Sequence, residues 1–121
     1  MSDNGVRSEY VDIKTGVGRV LNNKALYRKL LNMYLESDEF EKLDAHLKAE
    51  DYTAAGDVAH TIKGMTGNLA LLKLADVSTQ LMKECREGEP NPETVAQYYD
   101  ISKATKEYVE EVAIEIDAGT I

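Results

Sequence analysis

Cysteine occurs once in this chain, at Cys85; tryptophan is absent, and histidine occurs twice, at His46 and His60. One cysteine can form neither an internal disulfide nor a cluster of thiolate metal ligands, so a reduced, cytoplasmic setting is expected. The two histidines are 14 residues apart, too far to share one turn of a helix as a metal-binding pair. Neither belongs to the Glu-x-x-His units of a di-iron bundle. There is no Walker motif and no Gly-x-Ser-x-Gly elbow. Gly16 and Gly18 lack a third glycine and a preceding strand, so they are no dinucleotide loop. No intrinsic cofactor or metal is expected, and very few residues are left to carry chemistry. Cations are also scarce: 14 Lys and Arg against 22 Asp and Glu, a formal net charge of −8. That argues against nucleic acid or an anionic membrane as a partner, since both need a basic surface. No apolar run nears the ~18 residues of a membrane span. Met1 to Tyr10 lack the basic start and apolar stretch of a secretory signal.

What is present fits one soluble domain: 121 residues, of which 43% are hydrophobic and 30% charged. Residues 1–9 are polar and read as a disordered tail. Tyr10 to Val20 reads as a short helix with Val11, Ile13, Val17 and Val20 as its apolar points. Asn22 or Asn23 can cap a helix over 24–36, with Leu26, Leu30, Met33 and Tyr34 on one face. Phe40, Leu43 and Leu47 mark a short helix to about Ala49. Asp51 can cap a longer one to about Leu69 or Leu72. Leu74, Val77, Leu81 and Cys85 recur at helical spacing up to Gly88. Asn91-Pro92-Glu93 combines a cap, a first-turn proline and an acid at the positive helix end. From there an apolar stripe runs to Ile116. No segment alternates with period two. The fold class predicted is all-α: an antiparallel up-down four-helix bundle with short additional N-terminal and connecting helices. Residues 10–117 form the domain and 118–121 a tail.

The segment from Asp51 to Leu72 does not read as mere scaffold. On a helical wheel at about 100° per residue, Ala55, Ile62, Met65 and Leu69 group around Val58 as the buried stripe. His60 falls opposite, with Gly56, Lys63, Gly64 and Gly67 on its side. A glycine inside a helix costs about 1 kcal/mol relative to alanine, and three of them here surround one histidine. Residues four apart are neighbours on a helix surface, so missing side chains leave the imidazole open to another macromolecule's active site. Lys63 sets a cation where it can meet an anion bonded to the ring. Imidazole is a competent nucleophile near neutral pH. An accessible histidine of this kind suits carriage of a phosphoryl group. Two plainer readings stand beside it: an ordinary surface histidine, and glycines that admit a neighbouring helix of the same chain. His46, near Leu43 and Leu47, reads as structural. Cys85, on its helix's apolar stripe, reads as a small core residue.

The run Ala59-His60-Thr61-Ile62-Lys63-Gly64-Met65-Thr66-Gly67-Asn68-Leu69 resembles the signature of the histidine phosphotransfer domain. Gly16 to Glu36, with its Leu-Tyr-x-x-Leu-Leu helix, resembles that family's opening, and helix number and order agree through about Ile116. Ala70 departs from the pattern, since many members carry glycine after Asn68-Leu69. The resemblance implies a phosphorelay carrier without kinase activity. It would take a phosphoryl group from the aspartate of a response-regulator receiver domain and pass it to another receiver. Carried over by position, His60 is the phosphoacceptor through Nε2 and Lys63 stabilises the phosphoryl charge. Gly64 lets the receiver close over the ring. Gly67 gives clearance, as Gly56 does on the wheel, and Asn68 is a structural or partner-facing polar group. The implied partners are receiver domains and a hybrid histidine kinase, and Mg²⁺ would come from the receiver. A cytoplasmic monomer is expected. Two alternatives are an interaction-only helical module, whose mark would be loss of the histidine, and a domain excised from a larger hybrid kinase. The start at Met1 and the short polar end favour a free-standing protein.

Overall fold

The computed structural model describes residues 4–121, and among them seven helices and no strand. In chain order these are α1 (Asn4–Tyr10), α2 (Ile13–Gly18), α3 (Lys24–Glu36), α4 (Glu39–Lys48), α5 (Tyr52–Asn68), α6 (Leu72–Arg86) and α7 (Pro92–Ala118). The starts follow from local chemistry. Asp12, Asn23, Asp51 and Asn91 accept from the backbone N–H groups of Thr15, Leu26, Ala54 and Glu93, satisfying donors that a helix start leaves open. The ends of α4 and α5 share one device. At α5 the Leu71 N–H donates to Thr66 O (2.9 Å) and the Ala70 N–H to Gly67 O (3.1 Å), the Schellman arrangement. Its left-handed position is held by Ala70, at φ 58°. A Cβ there costs about 1–2 kcal/mol, a cost that glycine would not carry.

α3, α5, α6 and α7 pack as a helical bundle. Tyr27 Oη donates to Leu69 O (2.9 Å), while Met33 and Met65 line one groove, so α3 and α5 run antiparallel. Arg28 with Asp117 at one end, and Tyr34 with Ser102 at the other, set α3 against α7 in the same sense. Gly56 lies against Cys85 and His60 against Met82, which makes α5 and α6 antiparallel. The core between the helices holds Tyr27, Leu31, Leu43, Ile62, Leu71, Leu74, Leu81, Tyr98, Val109 and Val112 among others. α4 crosses the flank of α5.

The N-terminal region departs from expectation. Met1, Ser2 and Asp3 lie outside the described residues, but Asn4 to Glu9 are helical rather than a disordered tail. Arg7 anchors α1 through a two-pronged ion pair with Glu115 of α7, at 2.5 and 3.0 Å. The segment expected as one helix from Tyr10 to Val20 is broken at Val11 and Asp12. Val11 is buried, Asp12 caps α2, and the Asp12 N–H donates to Ala70 O at 3.0 Å. At the other end, Gly119 closes α7 in the left-handed conformation. No helix among the described residues is long and apolar enough to cross a membrane.

Candidate functional site

α5 presents the candidate histidine, and its seating differs in one respect from the wheel drawn on hydrophobicity alone. Ala55, Ala59, Ile62, Thr66 and Leu69 are buried, whereas Val58 and Met65 are half-buried. The buried direction is rotated by about 60° from Val58, toward the small residues that let α6 come close. Thr66 fits this apolar seam because its hydroxyl donates to Ile62 O at 2.7 Å.

The rotation leaves His60 exposed. Its Nδ1 lies 3.3 Å from the sulfur of Met82 on α6, and Nε2 has no hydrogen-bond partner among the described residues. Lys63, one turn on, is half-buried and unpaired with any acid among the described residues. A Cβ placed on Gly64 would meet nothing within 4 Å, so the space one turn beyond the ring is open. The same holds at Gly67, whose carbonyl accepts from the Arg19 guanidinium. Asn68 is exposed at the edge of an apolar groove of about 400 Å³ between α3 and α5, lined also by Leu30, Met33 and Met65.

Gly56 does not belong with the other two. It is buried, and a Cβ there would stand 3.4 Å from Cys85 Cβ and 3.5 Å from Arg86 Cγ. Its expected role as clearance for a partner is therefore corrected: it is the point where α6 crosses α5. His46 is half-buried in the last turn of α4, where its backbone carbonyl accepts from Asp51. Cys85 is buried, and desolvation, with the charge of Glu84 adding to it, pushes its thiol above the ordinary value. Among the described residues no group of histidine, cysteine and acidic side chains is placed to hold a metal ion.

Two α6 residues packed against this part of α5 were not anticipated. Met82 touches Nδ1, and Arg86 lays its stem over Gly56 with no acid paired to it among the described residues. Nothing within α5 signals them. Antiparallel packing of the helix containing Cys85 against the helix containing His60 would have pointed to both, since Met82 and Arg86 are one turn apart on one side of α6. The arrangement can do one thing well. It exposes a ring nitrogen without a hydrogen-bond partner among the described residues, next to open space at Gly64, with Lys63 one turn on along the same helix.

No curated protein and no solved structure shows significant similarity to the chain. One family model, described as Hpt domain, matches residues 29–116. The matched range takes in α4, α5, α6, nearly all of α7 and the part of α3 from residue 29 on, and leaves out α1 and α2. With most of the chain matched and its helices packed as a bundle, the chain belongs to the Hpt domain family, the histidine phosphotransfer domains of two-component phosphorelays.

Proposed function

We propose that this protein is a phosphorelay carrier in which His60 takes a phosphoryl group from a receiver-domain aspartate and hands it to a second receiver. Nε2 attacks the phosphorus of the aspartyl phosphate. The N–P bond forms as the acyl-phosphate P–O bond breaks, and the aspartate leaves as a carboxylate. The reverse step loads the next receiver. The observation that carries this reading is the unpartnered Nε2 of an exposed histidine beside the open space at Gly64. A near in-line approach needs such room, because catalysis in phosphoryl transfer is chiefly positioning and charge neutralisation. Lys63 supplies some of that neutralisation from this chain, while Mg²⁺ would come with the receiver. Gly67 and Asn68 lie where the receiver's rim would rest, and the apolar groove at Asn68 offers it a surface to cover. A hybrid histidine kinase heads such a relay, and the carrier itself has no kinase activity. It works as a monomer in the cytoplasm.

The test uses radiolabel. With ATP and Mg²⁺ alone the protein gains no phosphate. With a phosphorylated cognate receiver it gains one group, labile in acid and stable in base. His60→Gln abolishes labelling and His46→Gln retains it. Label persisting in His60→Gln would move the assignment to another residue.

A further inference from the structure

We infer that Met82 is a positioning residue for phosphotransfer: its thioether accepts the Nδ1–H of His60, keeping the ring proton on Nδ1 and the reactive lone pair on Nε2. The inference rests on the phosphocarrier reading and adds a residue to it. A neutral imidazole has one N–H and one lone pair, and which nitrogen carries the proton follows from what each nitrogen faces. Here the contrast between the two is complete among the described residues. Nδ1 faces the Met82 sulfur at 3.3 Å, and Nε2 has no hydrogen-bond partner among the described residues. A thioether carries lone pairs and no proton, so it can accept and cannot donate. With the proton on Nδ1 the contact is an N–H···S hydrogen bond. With the proton on Nε2, two lone pairs would oppose each other across that distance, and the nitrogen that must attack would be blocked by its own hydrogen.

Met82 is also held firmly enough to direct the ring. Its side chain is 7% exposed, between the buried Leu81 and Cys85 on α6. A Cβ on Gly56 would stand 3.8 Å from the Met82 carbonyl oxygen. The α5–α6 crossing at Gly56 thus sets the height at which the sulfur meets the imidazole one turn further along α5. Tautomer and orientation control of this sort is what a partner on the second nitrogen of a metal-bound histidine provides, and losing it there costs about 10–100-fold in metal affinity or activity. A neutral sulfur does so without placing an anion beside a ring that is about to receive a dianionic group.

Two substitutions of similar size separate this role from packing. Met82→Leu keeps the apolar volume and removes the acceptor. Met82→Gln restores an acceptor in the amide oxygen and makes the seam more polar. Nitrogen-15 spectra of the full chain report the His60 tautomer, and labelling by phosphoramidate, followed by phosphorus NMR, reports Nε2 reactivity without any receiver. Met82→Leu should move the tautomer away from Nδ1–H and slow Nε2 labelling about tenfold, while Met82→Gln should hold both near wild type. The reverse order, with Leu as wild type and Gln impaired, would show that Met82 only fills space and would overturn the inference. The carrier reading is judged separately, by transfer from a phosphorylated receiver to the wild-type protein, so the two can fail independently.

Discussion

Gly56 and Gly64 stand one helical turn on either side of His60, and each costs α5 about 1 kcal/mol of helix propensity. They do opposite things. At Gly56 the place of the missing side chain borders α6, with Cys85, Arg86 and Met82 atoms 3.4 to 3.8 Å from a Cβ there, leaving no room for a longer side chain. At Gly64 the missing side chain is empty. The first glycine brings the molecule's own helix close to the histidine, and the second keeps the molecule away from it. One residue type on one helix thus serves internal contact and external access within about 12 Å along the axis, and a sequence motif alone cannot tell which is which.

The sharpest way to break this contrast is Gly64→Gln. The new side chain enters open space, so stability should rise by up to about 1 kcal/mol. Transfer from a phosphorylated receiver should nevertheless fall about 100-fold, the loss expected when reacting atoms are held about 1 Å apart from their working distance. A more stable variant with full transfer would mean the space at Gly64 serves no partner. Next in size, Gly56→Gln should destabilise the fold by about 2 kcal/mol in urea titration, because the side chain must push α5 and α6 away from each other. If Gly56→Gln were as well tolerated as Gly64→Gln, the two glycines would not differ.

Lys63→Ala leaves both spaces as they are and removes a half-exposed charge. Transfer should drop by less than about tenfold, and the deficit should shrink at high salt, where screening weakens the lost attraction. The smallest effect is a control remote from both glycines. The Arg7 guanidinium, by its hydrogen bonds to Glu115, holds that carboxyl below the ordinary glutamate range. A carboxyl lowered in the folded state adds stability above its unfolded pKa of about 4.3 and loses it as pH falls through the lower folded value. Arg7→Ala should therefore cost under about 1 kcal/mol at pH 7, a difference that fades in acid, with phosphotransfer unchanged.

Helix boundaries were legible because they are written in local chemistry: Asn23, Asp51 and Asn91-Pro92 cap where their side chains reach the next backbone donors. The exposure of His60 was legible for a similar reason, since it is opposite Ile62 on the wheel and Ile62 is buried. What was not legible depends on contacts between distant segments. α1 is held by Glu115, 108 residues from Arg7, so nothing near Arg7 marks it as anything but polar. The buried stripe of α5 turned toward Ala55, Ala59 and Thr66 because small side chains decide how near α6 can come, and a hydrophobicity wheel gives weight to Val58 and Met65 instead. Gly56 and Met82 escaped for the same cause, because the α5–α6 register exists only once both helices have met.

The three glycines of α5 have a consequence beyond the partner. Gly56, Gly64 and Gly67 together remove about 3 kcal/mol of intrinsic helicity from a 17-residue segment, and helices of that length are marginal in water even with the best composition. Cut out as a peptide, Tyr52 to Asn68 would be a random coil carrying an ordinary histidine. The surface around His60 is thus a property of the assembled bundle and not of the motif, and the motif grafted onto an unrelated helix would not bring that surface with it.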